Sequence, residues 1–119
     1  MSYQYNQATL VGRLTRDPEF FKISESLSKA QFVLAVSRNY KKEDGSVDTD
    51  FIPISIWGKN AEIAHHLLKK GMPVLVWGRI QIRTYQNQDQ KIQMTEIVGE
   101  NFQLLQPKTV DGTELKKTV

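Results

Sequence analysis

The chain has 119 residues, with Lys+Arg at 16 against Asp+Glu at 13, a net charge of +3 and no cysteine. That length suits one domain with one hydrophobic core, and the missing cysteine excludes disulfides, thiolate metal sites and a cysteine nucleophile. So small a charge excess excludes a binder that holds polyanions by charge alone, so any phosphate binding has to come from local clustering.

No apolar run approaches the ~20 residues that span a bilayer. The opening MSYQYNQ lacks a basic segment followed by an apolar one, the mark of a secretory signal. A soluble cytoplasmic protein is expected, in keeping with the reducing compartment that tolerates a cysteine-free chain.

Residues 9–15, TLVGRLT, set Leu10, Gly12 and Leu14 against Thr9, Val11 and Arg13, the two-residue period of a first strand. Asp17-Pro18 turns it, because proline cannot donate to a ladder. Phe20, Phe21 and Ile23 continue extended but irregular into a polar stretch at 24–29. Residues 30–38, AQFVLAVSR, form a second strand with Ala30, Phe32, Leu34 and Val36 inward. The polar loop at 39–49 is longer than the usual two to five or so residues of a hairpin connection, a length associated with function. Residues 50–57, DFIPISIW, make a third strand, with Ile52, Ile54 and Ile56 on one face and Phe51, Pro53, Ser55 and Trp57 on the other.

Beyond Gly58 the period changes. Ala61, Ile63, Ala64, Leu67 and Leu68 follow helical spacing, with Asn60 placed to cap the start and Gly71 to end it. A fourth strand at 72–85 places Val74, Val76, Gly78, Ile80 and Ile82 inward. Its outer face carries Leu75, Trp77, Arg79, Gln81 and Arg83, and Tyr85 closes the row. After a polar turn at 86–90, residues 91–98 return as a fifth strand, and Gly99 kinks or ends it. Phe102, Leu104 and Leu105 still call for burial. The folded domain is expected at 1–107, with 108–119 a flexible tail too poor in apolar residues to pack.

Five strands with one helix between the third and fourth is the order of an all-β Greek-key barrel, the OB-fold, whose sheet face binds oligonucleotides or oligosaccharides. Single strands are held without sequence preference by stacked rings and a basic groove. The candidate rings are Tyr40, Phe51, Trp57 and Tyr85. The candidate phosphate partners are Arg13, Arg38, Lys41, Lys42, Lys59, Arg83 and Lys91. Bland readings compete: Phe51 packed under a loop, ordinary strand-end tyrosines, and Lys41-Lys42 solvated beside Glu43-Asp44. Leu75 and Trp77, with Arg79, suit a subunit contact better than a base, since leucine offers a base nothing.

Enzyme readings find little support. His65 and His66 are neighbours about 100° apart on a helix, and no third ligand stands at zinc spacing. Glu43, Asp44, Asp48 and Asp50 match no EF-hand loop, and phosphate cradles of the GxxxxGK type and GxSxG elbows are absent from the sequence. No metal and no cofactor is expected. A scaffold subunit acting through protein contacts is the alternative function, and a nuclease using the acidic loop a remote third.

NQATLVGRLTRDPE at 6–19 resembles the opening of the bacterial single-stranded DNA-binding proteins. FVLAVSRNYK, DFIPISIWGKNAE, LKKGMPVLVWGRIQIRTY and IQMTEIVGENFQLL continue the likeness in order, across about residues 6–106. The resemblance implies an OB-fold homotetramer that wraps single-stranded DNA in replication, repair and recombination, associated with the nucleoid. By that resemblance Tyr40 and Phe51 match stacking aromatics, Trp57 falls on a position usually phenylalanine or tryptophan, Tyr85 on the aromatic ending the fourth strand, and Lys59 and Arg83 match basic positions near the DNA. Trp77 falls where many members carry an acidic residue near the contact between dimers. The chain departs from the family in its end, ELKKTV, where members commonly carry an acidic, partner-docking tip. Partners recruited through the tail are therefore not expected.

Overall fold

The computed structural model describes residues 3–105. Six strands and one helix follow one another as β1 (Ala8–Leu14), β2 (Glu19–Ser24), β3 (Leu27–Ser37), β4 (Thr49–Trp57), α1 (Lys59–Leu67), β5 (Pro73–Asn87) and β6 (Gln90–Leu104). The sheet order is β1-β5-β6-β4-β3-β2, and an additional β1–β3 pairing closes it into a ring. Five strands therefore make the barrel wall, and β2 stands outside the ring, paired to β3 alone. This is the OB-fold, with six strands rather than five.

The sequence reading missed β2. Phe20 alone is partly buried there, so the two-residue period is too weak to see. Backbone pairing with β3, from Glu19↔Gln31 to Ser24↔Leu27, supplies the order instead. The stretch taken as polar linker includes the start of β3, where Ser28 is buried and its hydroxyl donates to Glu62 on the helix (3.3 Å).

The core follows from alternation. Leu14 from β1, Ala30, Phe32 and Leu34 from β3, Ile54 and Ile56 from β4, Val74 and Val76 from β5 and Ile97 from β6 point inward, all at most 5% exposed. Ala61, Ala64 and Leu68 seal one end. Each fully buried aliphatic side chain of this kind contributes roughly 1.5–3 kcal/mol. Closing so small a ring forces backbones together at two glycines. A Cβ on Gly12 would lie 2.4 Å from the Ala35 carbonyl oxygen, and one on Gly78 2.0 Å from that of Val98. Gly78 sits at a register shift in the β5–β6 pairing, so the kink expected of Gly99 is a bulge that lets β6 run on to Leu104.

Other expectations are corrected. Gly58, with φ of 76°, occupies the helix N-cap position without a side-chain cap, while the Asn60 amide donates to the Glu100 carbonyl (3.1 Å). Leu68, not Gly71, is the C-cap; Gly71 (φ 86°) turns the chain three residues later. Ile63 and Leu67 are exposed, because only every third or fourth position of so short a helix meets the barrel. Ile80 and Ile82 are exposed as well, since β5 has by then run past Ala8↔Gly78, its last pairing with β1. Conversely Ser55, assigned outward, is fully buried between its neighbours Gln31 and Val98. Asn6 ties down the chain's start: its side-chain amide donates to the Ile80 carbonyl (2.8 Å) and accepts from the Ile80 amide (2.9 Å).

Candidate nucleic-acid interface

Alternation on β3, β4 and the β5–β6 hairpin brings one set of outer side chains into a shared surface. Phe51 on β4 is 64% exposed, Tyr85 on β5 47% and Tyr40 in the β3–β4 loop 56%, so three of the four expected stacking rings are open. Trp57 is partly buried, and the ammonium of Lys29 lies 4.9 Å from its ring centroid, a cation–π contact. The bland reading of Phe51 as packed beneath a loop does not hold.

Between β3–β4 and the hairpin runs a depression of two hollows, about 220 and 140 Å³, sharing Gln31, Pro53 and Met94 as walls. Arg83 and Tyr85 line the smaller one. Lys29, Gln31 and Met94 escaped the sequence reading. Lys29 lay in the stretch read as polar, and Met94, 47% exposed, is set opposite Arg83 only by the pairing register.

The expected cations divide by environment. Arg13 lies in a row with Ala35 and Phe51 across β1, β3 and β4, and its guanidinium donates to the Gly71 carbonyl (2.8 Å). Lys59 is exposed at the first residue of α1, two residues past Trp57. Arg38 is held by Asp50 through Nε (3.2 Å) and Nη2 (3.0 Å), and its Nη1 donates to the Tyr40 hydroxyl (3.3 Å). That Arg38 hydrogen bond keeps the Asp50 carboxyl below its ordinary pKa, and Asp50 in turn raises that of Arg38. Lys42 pairs with Asp48 (3.0 Å), leaving Lys41 the exposed cation of the loop without an ion pair among the described residues. Lys91 pairs with Gln86 next to Tyr85↔Ile92, so the pleat turns it to the face opposite Tyr85. Arg83 shares its hollow with Tyr85 while pairing with Glu96 (2.8 Å), Arg13 and Lys59 stand near Phe51 and Trp57 only in register and sequence, and Lys91 lies apart.

The acidic loop is occupied by these same contacts. Asp48 and Asp50 hold Lys42 and Arg38, and Asp44 accepts from the amide and hydroxyl of Ser46, which lowers its pKa. Among the described residues no three His, Asp or Glu side chains are grouped to hold a metal ion. His65 stacks on Phe20 (centroids 4.5 Å apart) at the helix surface. No described helix is long and apolar enough to cross a membrane.

On the barrel's other flank, Thr9↔Trp77 and Val11↔Leu75 pair across β1 and β5, with Arg79 next along the strand. Leu75 and Trp77 are partly buried and Val11 is 52% exposed, so the most open apolar side chain of this flank is one the sequence reading did not single out.

The model of the single-strand binding protein family matches residues 5–105. The chain belongs to that family. It is 44% identical over 104 residues to single-stranded DNA-binding protein 1 of Streptococcus pyogenes, covering 87% of this chain and 80% of that one. It is 42% identical to the single-stranded DNA-binding protein of Streptococcus pneumoniae (88% and 68% covered) and 41% to single-stranded DNA-binding protein 1 of Lactococcus lactis (94% and 75% covered). Within this single-strand binding protein the match spans the whole barrel and stops where the described residues do. The flexible tail expected at 108–119 lies outside the described residues.

Proposed function

We propose that this chain binds single-stranded DNA with little sequence preference and protects it during replication, repair and recombination, without catalysing a reaction. Family membership supports the class of ligand. The observation that carries the reading is the surface where Tyr85 and Arg83 line a groove walled by Pro53, two residues from exposed Phe51, with Lys29 over Trp57 and Lys59 two residues beyond it. Bases stack on Tyr40, Phe51, Trp57 and Tyr85, each stack adding roughly 1–3 kcal/mol. Arg13, Lys41 and Lys59 meet phosphates directly, Arg83 only through the terminal nitrogens that its pair with Glu96 leaves over, and Arg38 and Lys42 must first loosen from Asp50 and Asp48. Lys91 joins only a strand that wraps around the hairpin.

The second flank supports assembly. Val11, Leu75 and Trp77 form an apolar strip edged by Arg79, suited to the contact between subunits of a homotetramer. The protein acts at the nucleoid as this assembly. Titration with oligo-dT at low salt, followed by tryptophan fluorescence and anisotropy, tests the reading. Altered emission with saturable binding that weakens as salt rises is expected; no bound oligonucleotide would reject it.

A further inference from the structure

The smaller hollow has a polar floor that stacking and phosphate pairing leave unused. Glu96 on β6 lines it and is only 8% exposed. Burying a carboxylate is costly unless it is hydrogen-bonded, and this one is: Arg83 Nε (2.8 Å) and Gln81 Nε2 (3.2 Å) both donate to Oε2. Among the described residues no hydrogen bond reaches Oε1, which is also not among the atoms sealed from solvent. Glu96 thus keeps one acceptor oxygen without a hydrogen bond among the described residues. Arg83 lines the same hollow, its Nε already anchored and its terminal nitrogens without a hydrogen bond among the described residues. Tyr85 and Met94 on one side and Pro53 on the other bound a space of about 140 Å³, room for one planar ring.

We propose that this hollow is a nucleobase subsite that favours a pyrimidine bearing an exocyclic amine over one bearing a carbonyl at that position. A carboxylate oxygen accepts from the N4 amine of cytosine, while the guanidinium donates to its O2 or N3. Uracil or thymine in the same pose turns O4 toward Oε1, lone pair against lone pair, and has to shift in the hollow to offer its N3–H instead. The inference rests on the single-strand reading above and adds a local preference to a surface otherwise tolerant of sequence.

Binding of labelled oligo-dC and oligo-dU of equal length to the wild type and to Glu96→Gln is the test. Arg83 and Gln81 both donate toward Oε2, so the new side chain keeps its carbonyl there and turns its NH2 group into the place of Oε1, replacing acceptor by donor. The ratio Kd(dU)/Kd(dC) is expected to fall by about threefold or more in the variant, with an unchanged melting temperature. An unchanged ratio would overturn the subsite while leaving single-strand binding in place. Absence of binding to either oligonucleotide by the wild type would overturn both. Should Glu96→Gln fail to fold, the wild type decides alone. An oligonucleotide of 2-pyrimidinone nucleotides, which lack the amine, should bind about threefold more weakly than oligo-dC, and equal affinity would overturn the proposal.

Discussion

The chain's two tryptophans occupy similar strand positions, both outward and both partly buried, yet their surroundings differ in kind. Trp57 has a lysine ammonium at 4.9 Å and lies on a face with exposed Phe51 and a groove lined by Tyr85 and Arg83. Trp77 sits beside Thr9, Val11 and Leu75, with Arg79 only at its edge. A ring next to cations and other open rings suits a flat anionic polymer; a ring among aliphatics suits another apolar surface. The type of side chain says little here, and its cross-strand neighbours say most.

Four perturbations sharpen this contrast or break it. Replacing Tyr40, Phe51 and Tyr85 together by alanine should weaken oligo-dT binding more than about a hundredfold, since each stack contributes roughly 1–3 kcal/mol. All three rings are largely exposed, so the melting temperature should barely move. A folded variant with undiminished affinity would break the contrast outright. Trp77→Glu should act the other way. A charge set into an apolar contact should dissociate the assembly, seen as a lower mass by light scattering, while affinity for a short oligonucleotide changes less than about threefold.

Lys59→Gln should have a smaller effect, weakening binding about threefold at low salt. It should also reduce the slope of log K against log salt by about 0.7, the share of one phosphate contact on a single strand. The smallest effect concerns the loop that carries Tyr40. Asp50 has a lowered folded-state pKa because it accepts from Arg38, so this pair is intact at neutral pH and lost as pH falls through that depressed value. Hydrogen-exchange protection in the β3–β4 loop, taken relative to the intrinsic rate at each pH, should stay constant from pH 7 to 5 and fall only below about pH 4. In Asp50→Asn the step should shrink, with Asp44 and Asp48 keeping their own contacts.

Much of this fold is legible in the sequence where alternation is strong. The inward rows of β1, β3 and β4 and the first half of β5 follow the two-residue period because one face meets the core. The period fails where a strand lies outside the ring. β2 has one partly buried residue and β5 beyond Gly78 has no core beneath it, so apolar Ile80 and Ile82 imitate a core face that is not there. Ser55 fails in the opposite sense, since burial by neighbouring strands depends on barrel closure and leaves no mark on local pattern. Among the candidate site residues, the open rings were legible as aromatics on outward positions. The ion pairs that engage Arg38 and Lys42, and the buried Glu96 beneath Arg83, were not. They join residues up to 13 apart along the chain, and only the pairing register brings them together.

The contrast between the two flanks is tested most directly by ultraviolet cross-linking of the unmodified protein to oligo-dT, with adducts located by peptide mass spectrometry. Adducts are expected on Phe51, Trp57 or Tyr85, the rings lining or bordering the groove, and none on Trp77. Adducts confined to Trp77, with the groove-side rings unmodified, would contradict the account.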